Sequence, residues 1–231
     1  MAKRPKKTRK ELLKEPDEFI TISGKIIGFL VDHKNQITYA LGIIVALALI
    51  FSGYRFFSIR SENKASTMLD QGLAKYEKFK NDKQPVEAYD QVSADFQLIL
   101  DKYGSKKNGM IARLTYANIC YKAGKYEQAI ELYKKSLKDF EEDQTIYNQV
   151  IGSLGYAYEQ QADYASAVSY FEQLSSAPDT IMIMRGEAFY HLGWLYDKLG
   201  NAEKSKEAYN KILSDHQDFI YIDLVKERMA G

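Results

Sequence analysis

Residues 121–140 read YKAGKYEQAIELYKKSLKDF, and their reading decides the fold. Gly124, Tyr126, Ala129 and Tyr133 sit at fixed offsets within an amphipathic helical pattern. Similar spacing returns at AYEQQADYASAVSYFEQLS and, worn down, at LYDKLGNAEKSKEAYNKIL. Aligned on the small residues Ala117, Gly155 and Gly193, successive copies lie 38 residues apart. The other landmarks keep that register: Cys120, Tyr158 and Tyr196; Gly124, Ala162 and Gly200; Ala129, Ala167 and Ser205; Tyr133, Phe171 and Tyr209. The pattern predicts two helices per unit with a small residue at the turn between them. Small residues are needed where helices cross closely, and large aromatics fill the space between. One unit cannot bury its apolar face alone, so three or more must stack.

Working outward, residues 64–109 read as a divergent earlier unit: MLDQGLAKYEKFK, a break at Asn81–Pro85, then VEAYDQVSADFQLILDKYG. Phe96, Ile99 and Tyr103 suit its second helix. At the other end FIYIDLVKERMAG reads as a capping helix. The expectation is four helix pairs at roughly 64–109, 110–147, 148–185 and 186–218, then the cap.

Ahead of the repeats, residues 37–54 read ITYALGIIVALALIFSGY and carry no charge. About 20 apolar residues span a bilayer core. Lys34 and Arg55 flank the run, with Tyr39, Tyr54, Phe56 and Phe57 near its ends, as interfacial anchors of a spanning helix do. The 36 residues in front exceed a usual signal-peptide n-region, so a retained single span over 37–57 is expected. Residues 1–36 form a basic tail with Lys3, Arg4, Lys6, Lys7, Arg9 and Lys10 in its first ten positions. Thr8 and Glu11 match a capping box, and Pro16 with Asp17 and Glu18 suits the first turn of a short helix. Phe19, Ile22, Ile26 and Phe29 give that helix an apolar face suited to the membrane interface or to a partner subunit.

Composition separates the two parts. The chain has 231 residues, with 32 Lys+Arg against 31 Asp+Glu. Residues 1–60 carry a net +6 and the remainder a net −5. A mildly acidic repeat domain argues against nucleic acid as a partner. Nine Lys/Arg precede the span, which favours a cytoplasmic N-terminus and an exported C-terminal domain. One cysteine permits no intrachain disulfide.

The units YANICYKAGKYEQAIELYKKSL, LGYAYEQQADYASAVSYFEQL and LGWLYDKLGNAEKSKEAYNKI resemble the tetratricopeptide repeat (TPR). The usual TPR period is about 34 residues, so 38 implies roughly one extra helical turn per unit. The proline expected near each unit's end is mostly missing, Pro178 being the one late in a unit. The resemblance implies an all-α fold, a TPR-type α-solenoid behind a single transmembrane helix, with a concave groove lined by the first helix of each pair. By resemblance the groove-facing residues are Leu114, Asn118, Tyr121 and Lys122, then Gln149, Tyr156, Glu159 and Gln160, then Glu187, Tyr190, Trp194 and Asp197. Such an aromatic and polar mixture suits an extended peptide or a partner's helix. TPR co-chaperones that grip C-terminal carboxylates use Lys and Asn in the first two inner helices. Here only Asn118 matches, and Leu114, Gln149 and Ser153 break the clamp.

No catalytic constellation stands out. His33, His191 and His216 are scattered, no His/Cys/carboxylate set has metal spacing, and neither a phosphate loop nor a serine elbow is present. The reading is a binding module, with no enzyme activity, cofactor or metal implied. The layout of basic tail, single span and C-terminal TPR stack resembles the ancillary subunit family of the bacterial Sec translocon. That resemblance implies a bacterial inner-membrane protein with periplasmic repeats that meet emerging chains and periplasmic chaperones. The stretch FQLILDKYGSKKNGMIARLTYANICYKAGKYEQAI also resembles the TPR lipoprotein of the outer-membrane assembly machine, but no lipobox cysteine is present. A scaffold for envelope or division machinery is the alternative reading.

Overall fold

A computed structural model describes residues 18–80, 85–177 and 182–230. The basic run, the Thr8–Glu11 box, Pro16, most of the Asn81–Pro85 break and Pro178 lie outside the described residues. Ten helices and no strand occur among the described residues: α1 (Glu18–Asp32), α2 (Lys34–Phe79), α3 (Pro85–Tyr103), α4 (Lys107–Lys122), α5 (Tyr126–Asp139), α6 (Gln144–Gln160), α7 (Tyr164–Ser175), α8 (Met182–Lys198), α9 (Ala202–Asp215) and α10 (Ile222–Ala230).

The chain divides into two compact units, residues 1–59 and 60–231. The first holds α1 and the apolar part of α2. Ile22, Ile26 and Phe29 of α1 are all exposed, as are the aliphatic side chains of α2 from Leu41 to Ile50. Alone among the helices of the described residues, α2 is long and apolar enough to cross a membrane, with a mean hydropathy of 2.0 over its most apolar window. The apolar run and the first helix of the divergent repeat are one continuous helix, because no Gly-Pro break or cap separates residues 54 and 64.

The second unit is an α-solenoid. The C-terminal part of α2 meets α3 through Gly72 against the Phe96 ring and through the Lys75–Asp95 ion pair at 2.9 Å; α4 then pairs with α5, α6 with α7 and α8 with α9, and α10 packs on α9. The first helices of the later pairs begin at 107, 144 and 182, three to four residues ahead of the boundaries read from the sequence. Asp143 explains one of these starts: its carboxylate accepts the backbone N–H of Thr145 and Ile146 at 3.1 Å each and caps α6.

Helices cross where the small residues lie. A Cβ on Gly155 would sit 2.8 Å from the Phe171 ring, and one on Gly193 2.4 Å from the Tyr209 ring. The divergent first pair repeats the device, with a Cβ on Gly72 3.3 Å from the Phe96 ring. Ala117 takes the same place in the second pair, and Ala117 and Tyr133 are both buried. Around these contacts the core runs from Val92, Phe96 and Ile99 through Tyr116, Cys120 and Tyr133 to Leu154, and on through Phe171, Leu195 and Ile212. Burial pushes the Cys120 thiol up to about 12, so it acts as a small apolar core group.

The turns inside the pairs are equally regular. Gly124, Ala162 and Gly200 all adopt left-handed backbone, at φ +72°, +59° and +74°. Each ends its helix in the same way: Lys125, Asp163 and Asn201 donate their N–H to Cys120, Tyr158 and Tyr196, and Gly124, Ala162 and Gly200 donate to Tyr121, Glu159 and Asp197. These bonds satisfy the last carbonyls of the first helix. Asp163 and Asn201 then cap the second helix by accepting the N–H of Ser166 and Lys204.

A distant carboxylate caps α4. Glu62 on α2 accepts the backbone N–H of Lys107 at 2.9 Å and of Asn108 at 3.2 Å, and the Asn108 amide as well. Burial alone would raise this carboxyl, but these donors and the Lys106 charge outweigh it and hold its pKa below the usual value.

This packing sets three expected outcomes, each read as thermal unfolding of the full chain in detergent. Gly193→Ala should cost about 2 kcal/mol, since the Tyr209 ring is buried and must shift. Ala162→Gly should stabilise by roughly 1 kcal/mol, by removing an L side chain from left-handed backbone. Glu62→Gln, which mimics the protonated acid, should cost about 1 kcal/mol at neutral pH. A lowered folded-state pKa stabilises fully above the unfolded value, and that contribution is lost as pH falls through the folded one. The gap between Glu62→Gln and the parent should therefore close on acidification.

Candidate functional site

The first helices of the last three pairs, α4, α6 and α8, carry equivalent positions 38 residues apart. One line is Asn118, Tyr156 and Trp194; the next is Tyr121, Glu159 and Asp197. Identical caps and crossings set these helices in the same register, so equivalent side chains recur on the same helical face.

Around α6 and α8 four of the expected residues come together. The Tyr156 hydroxyl donates to Glu187 Oε2 at 3.3 Å. Its ring meets Phe171 edge-on at 5.2 Å and His191 at 4.8 Å. Glu159 Oε2 lies 2.7 Å from His191 Nδ1, with the two side chains 15% and 22% exposed. Tyr190 meets the His191 ring edge-on at 5.6 Å. Phe171 stacks beneath His191 at 4.9 Å and is the buried floor of the cluster. Burial first, then the Glu187 and Glu159 charges, raises the Tyr156 phenol. It therefore stays a protonated donor at physiological pH.

Asn118, Tyr121, Lys122 and Gln160 form a second neighbourhood. Asn118 Oδ1 accepts from the Tyr133 hydroxyl at 2.7 Å, so it is tied to the helix pairing of its own repeat. Tyr121 packs edge-on against Tyr126 at 5.6 Å, and the Tyr126 hydroxyl donates to Gln160 Oε1 at 3.4 Å. Burial raises the Tyr121 phenol, with Tyr126 and the Glu159 charge adding to it. Lys122, Gln149, Gln160 and Asp197 are exposed, and Leu114 is half-buried against the core. Trp194 is half-buried too, packed edge-on against Tyr164 of α7 at 5.6 Å with the Lys198 ammonium 5.5 Å above its ring.

Two contributors were not singled out from the sequence. His191 follows Thr115 and Ser153 at the same 38-residue spacing, a signal that was available. The segment before α10 is the other: Phe219 and Tyr221 lie 5.9 and 5.6 Å from Tyr190, and Tyr221 is exposed. No spacing links that segment to the repeats. Among the described residues no group of three His, Cys, Asp or Glu is placed to hold a metal ion. The arrangement offers neutral phenol donors, carboxylate acceptors and ring faces, which is the chemistry of recognition.

Comparison with known proteins agrees with this geometry. Tetratricopeptide-repeat family models match residues 110–177 and 186–214. No curated protein sequence matches the chain. Among solved structures, pilF of Pseudomonas aeruginosa is similar at TM-score 0.50 and 19% identity, over 73% of this chain and 71% of that one. BtubC (BKLC) from P. vanneervenii is similar at TM-score 0.49 and 13% identity, over 70% of this chain and 74% of that one. At such identities the likeness concerns the fold alone. Residues 110–177 and 186–214 thus match the tetratricopeptide repeat, and stacks of such repeats generally serve as protein–protein interaction modules.

Proposed function

We propose that this chain is a membrane-tethered TPR module whose groove binds segments of client or partner proteins at the periplasmic face of a bacterial inner membrane. In this reading α2 supplies the span, residues 1–36 stay in the cytoplasm and the repeats are exported. The work is assistance to protein translocation or to the folding of envelope proteins, with Sec translocon subunits and periplasmic chaperones as the partners. The exposed apolar stretch of α2 and the basic N-terminal tail support the tether and its orientation. The observation that carries the binding role is the row of incompletely buried Tyr156, Glu159, Glu187, Tyr190 and Trp194 on α6 and α8. Aromatic rings set beside carboxylate acceptors and phenol donors, all reachable from solvent, suit the recognition of an extended segment.

The test is co-purification of the tagged full-length chain from membranes in mild detergent, followed by mass spectrometry. Translocon subunits or periplasmic chaperones should be recovered with the parent. Tyr156→Ala combined with Trp194→Ala should lose them by at least about tenfold, the loss of one well-buried aromatic anchor being worth that much. Because both rings also pack internally, Gln149→Ala with Gln160→Ala at exposed positions serves as a second variant, and melting curves verify folding. Division or envelope-assembly proteins retained through both variants would replace the reading with a scaffold. Resistance of residues 64–231 to protease added from the periplasmic side would overturn the topology.

A further inference from the structure

If the groove binds protein segments, its side chains also set the chemistry of the segment it prefers. We propose, resting on that function, that the α6–α8 end of the groove receives a cationic side chain, Lys or Arg, from the captured segment. The structural basis is the unbalanced Glu187 carboxylate. Among the described residues it accepts one long hydrogen bond, from Tyr156 at 3.3 Å. Among the described residues no Lys, Arg or His nitrogen lies within ion-pair distance of it. Arg185 stands two residues earlier on α8, a spacing at which side chains do not face each other. A carboxylate accepts about four hydrogen bonds, so Glu187 keeps most of its capacity.

Its neighbours favour a cation. Glu159 is held by His191 Nδ1 at 2.7 Å and adds a second carboxylate to the same cluster. The rings of Tyr156 and Tyr190 flank His191 at 4.8 and 5.6 Å, and Tyr221 stands 5.6 Å beyond Tyr190. Phenol faces carry negative quadrupole potential and attract Lys and Arg. The protein uses that pairing repeatedly on its own surface: Lys125 lies over Tyr89, Lys134 over Tyr158, Lys198 over Trp194 and Lys204 over Tyr196, at 5.0 to 5.8 Å.

The alternatives fit less well. An acidic segment meets two carboxylates and is repelled. A wholly apolar segment strips water from Glu187 without replacing its hydrogen bonds, which carries a desolvation penalty. A Lys or Arg supplies charge-assisted donors to Glu187 and places its alkyl stem along the Tyr rings.

The experiment pans a displayed library of random ten-residue peptides against the immobilised full-length chain in detergent. Enriched peptides should contain Lys or Arg. Replacing that residue by Gln should weaken binding about fivefold, measured by fluorescence anisotropy. Glu187→Gln should remove that preference while leaving the melting temperature within a degree or two, and Glu187→Lys should turn it toward acidic peptides. Enriched peptides that are neutral or acidic, yet depend on Tyr156, would sink the cation site and leave the groove's binding role intact. Failure to enrich any peptide, or enrichment unaffected by Tyr156→Ala, would remove the binding role as well.

Discussion

The close crossing of the two helices in each repeat is the contact on which the rest of the solenoid depends. At Gly155–Phe171 and Gly193–Tyr209 the ring of the second helix occupies the space a Cβ would need. The same exchange of a missing side chain for a buried ring occurs at Gly72–Phe96 in the divergent first pair. An aromatic ring buries a large apolar area and packs a fixed shape into a fixed gap. The crossing therefore fixes how near the helices come as well as how strongly they hold. Similar crossings then give each pair a similar geometry, and like pairs stack through contacts between neighbouring repeats.

The candidate site inherits its position from that contact. Phe171 fills the crossing of α6 and α7 and is at once the floor beneath His191 and Tyr156. Tyr209 fills the next crossing and lies 6.4 Å from Tyr190. The candidate site residues thus rest on the rings that set the helix spacing. Widening one crossing would displace the carboxylates and phenols above it together. This coupling gives a recognition surface built on helices its precision, in contrast to a loop held by a few caps.

Much of this was legible in the sequence because its causes are local and repeated. The 38-residue register, the small residues at the crossings and the small residues at the turns each occur three times, and each has a physical reason visible in a window of a few residues. Ala162 shows the limit of that economy. It occupies the left-handed turn position where the two sister repeats use glycine, and the six-residue cap forms regardless. What the sequence hid is long-range and unrepeated. Glu62 caps a helix 45 residues away, and nothing near Glu62 marks it as a cap. His191 looked like one of three scattered histidines until α6 brought Glu159 to it. The capping segment reaches Tyr190 through Phe219 and Tyr221, a contact that no periodicity encodes. The apolar run and the first repeat helix looked like separate elements because their compositions differ, but composition changes along a helix do not interrupt it.

If the proposed groove captures segments, its polar character governs how they are held. Glu159, Tyr156 and Asn118 already have partners inside the protein, so a ligand competes with those bonds as well as with water. Net affinity per contact is correspondingly small, and the rings supply most of what remains. Under the proposed tethered function weak contacts would be adequate, because fixing a module beside the source of its ligands raises the local concentration those contacts meet. They also permit release, which a groove lined only with buried aliphatic residues would resist. A surface of half-satisfied carboxylates and phenols on a rigid helical stack is thus better matched to transient capture of many segments than to permanent assembly with one.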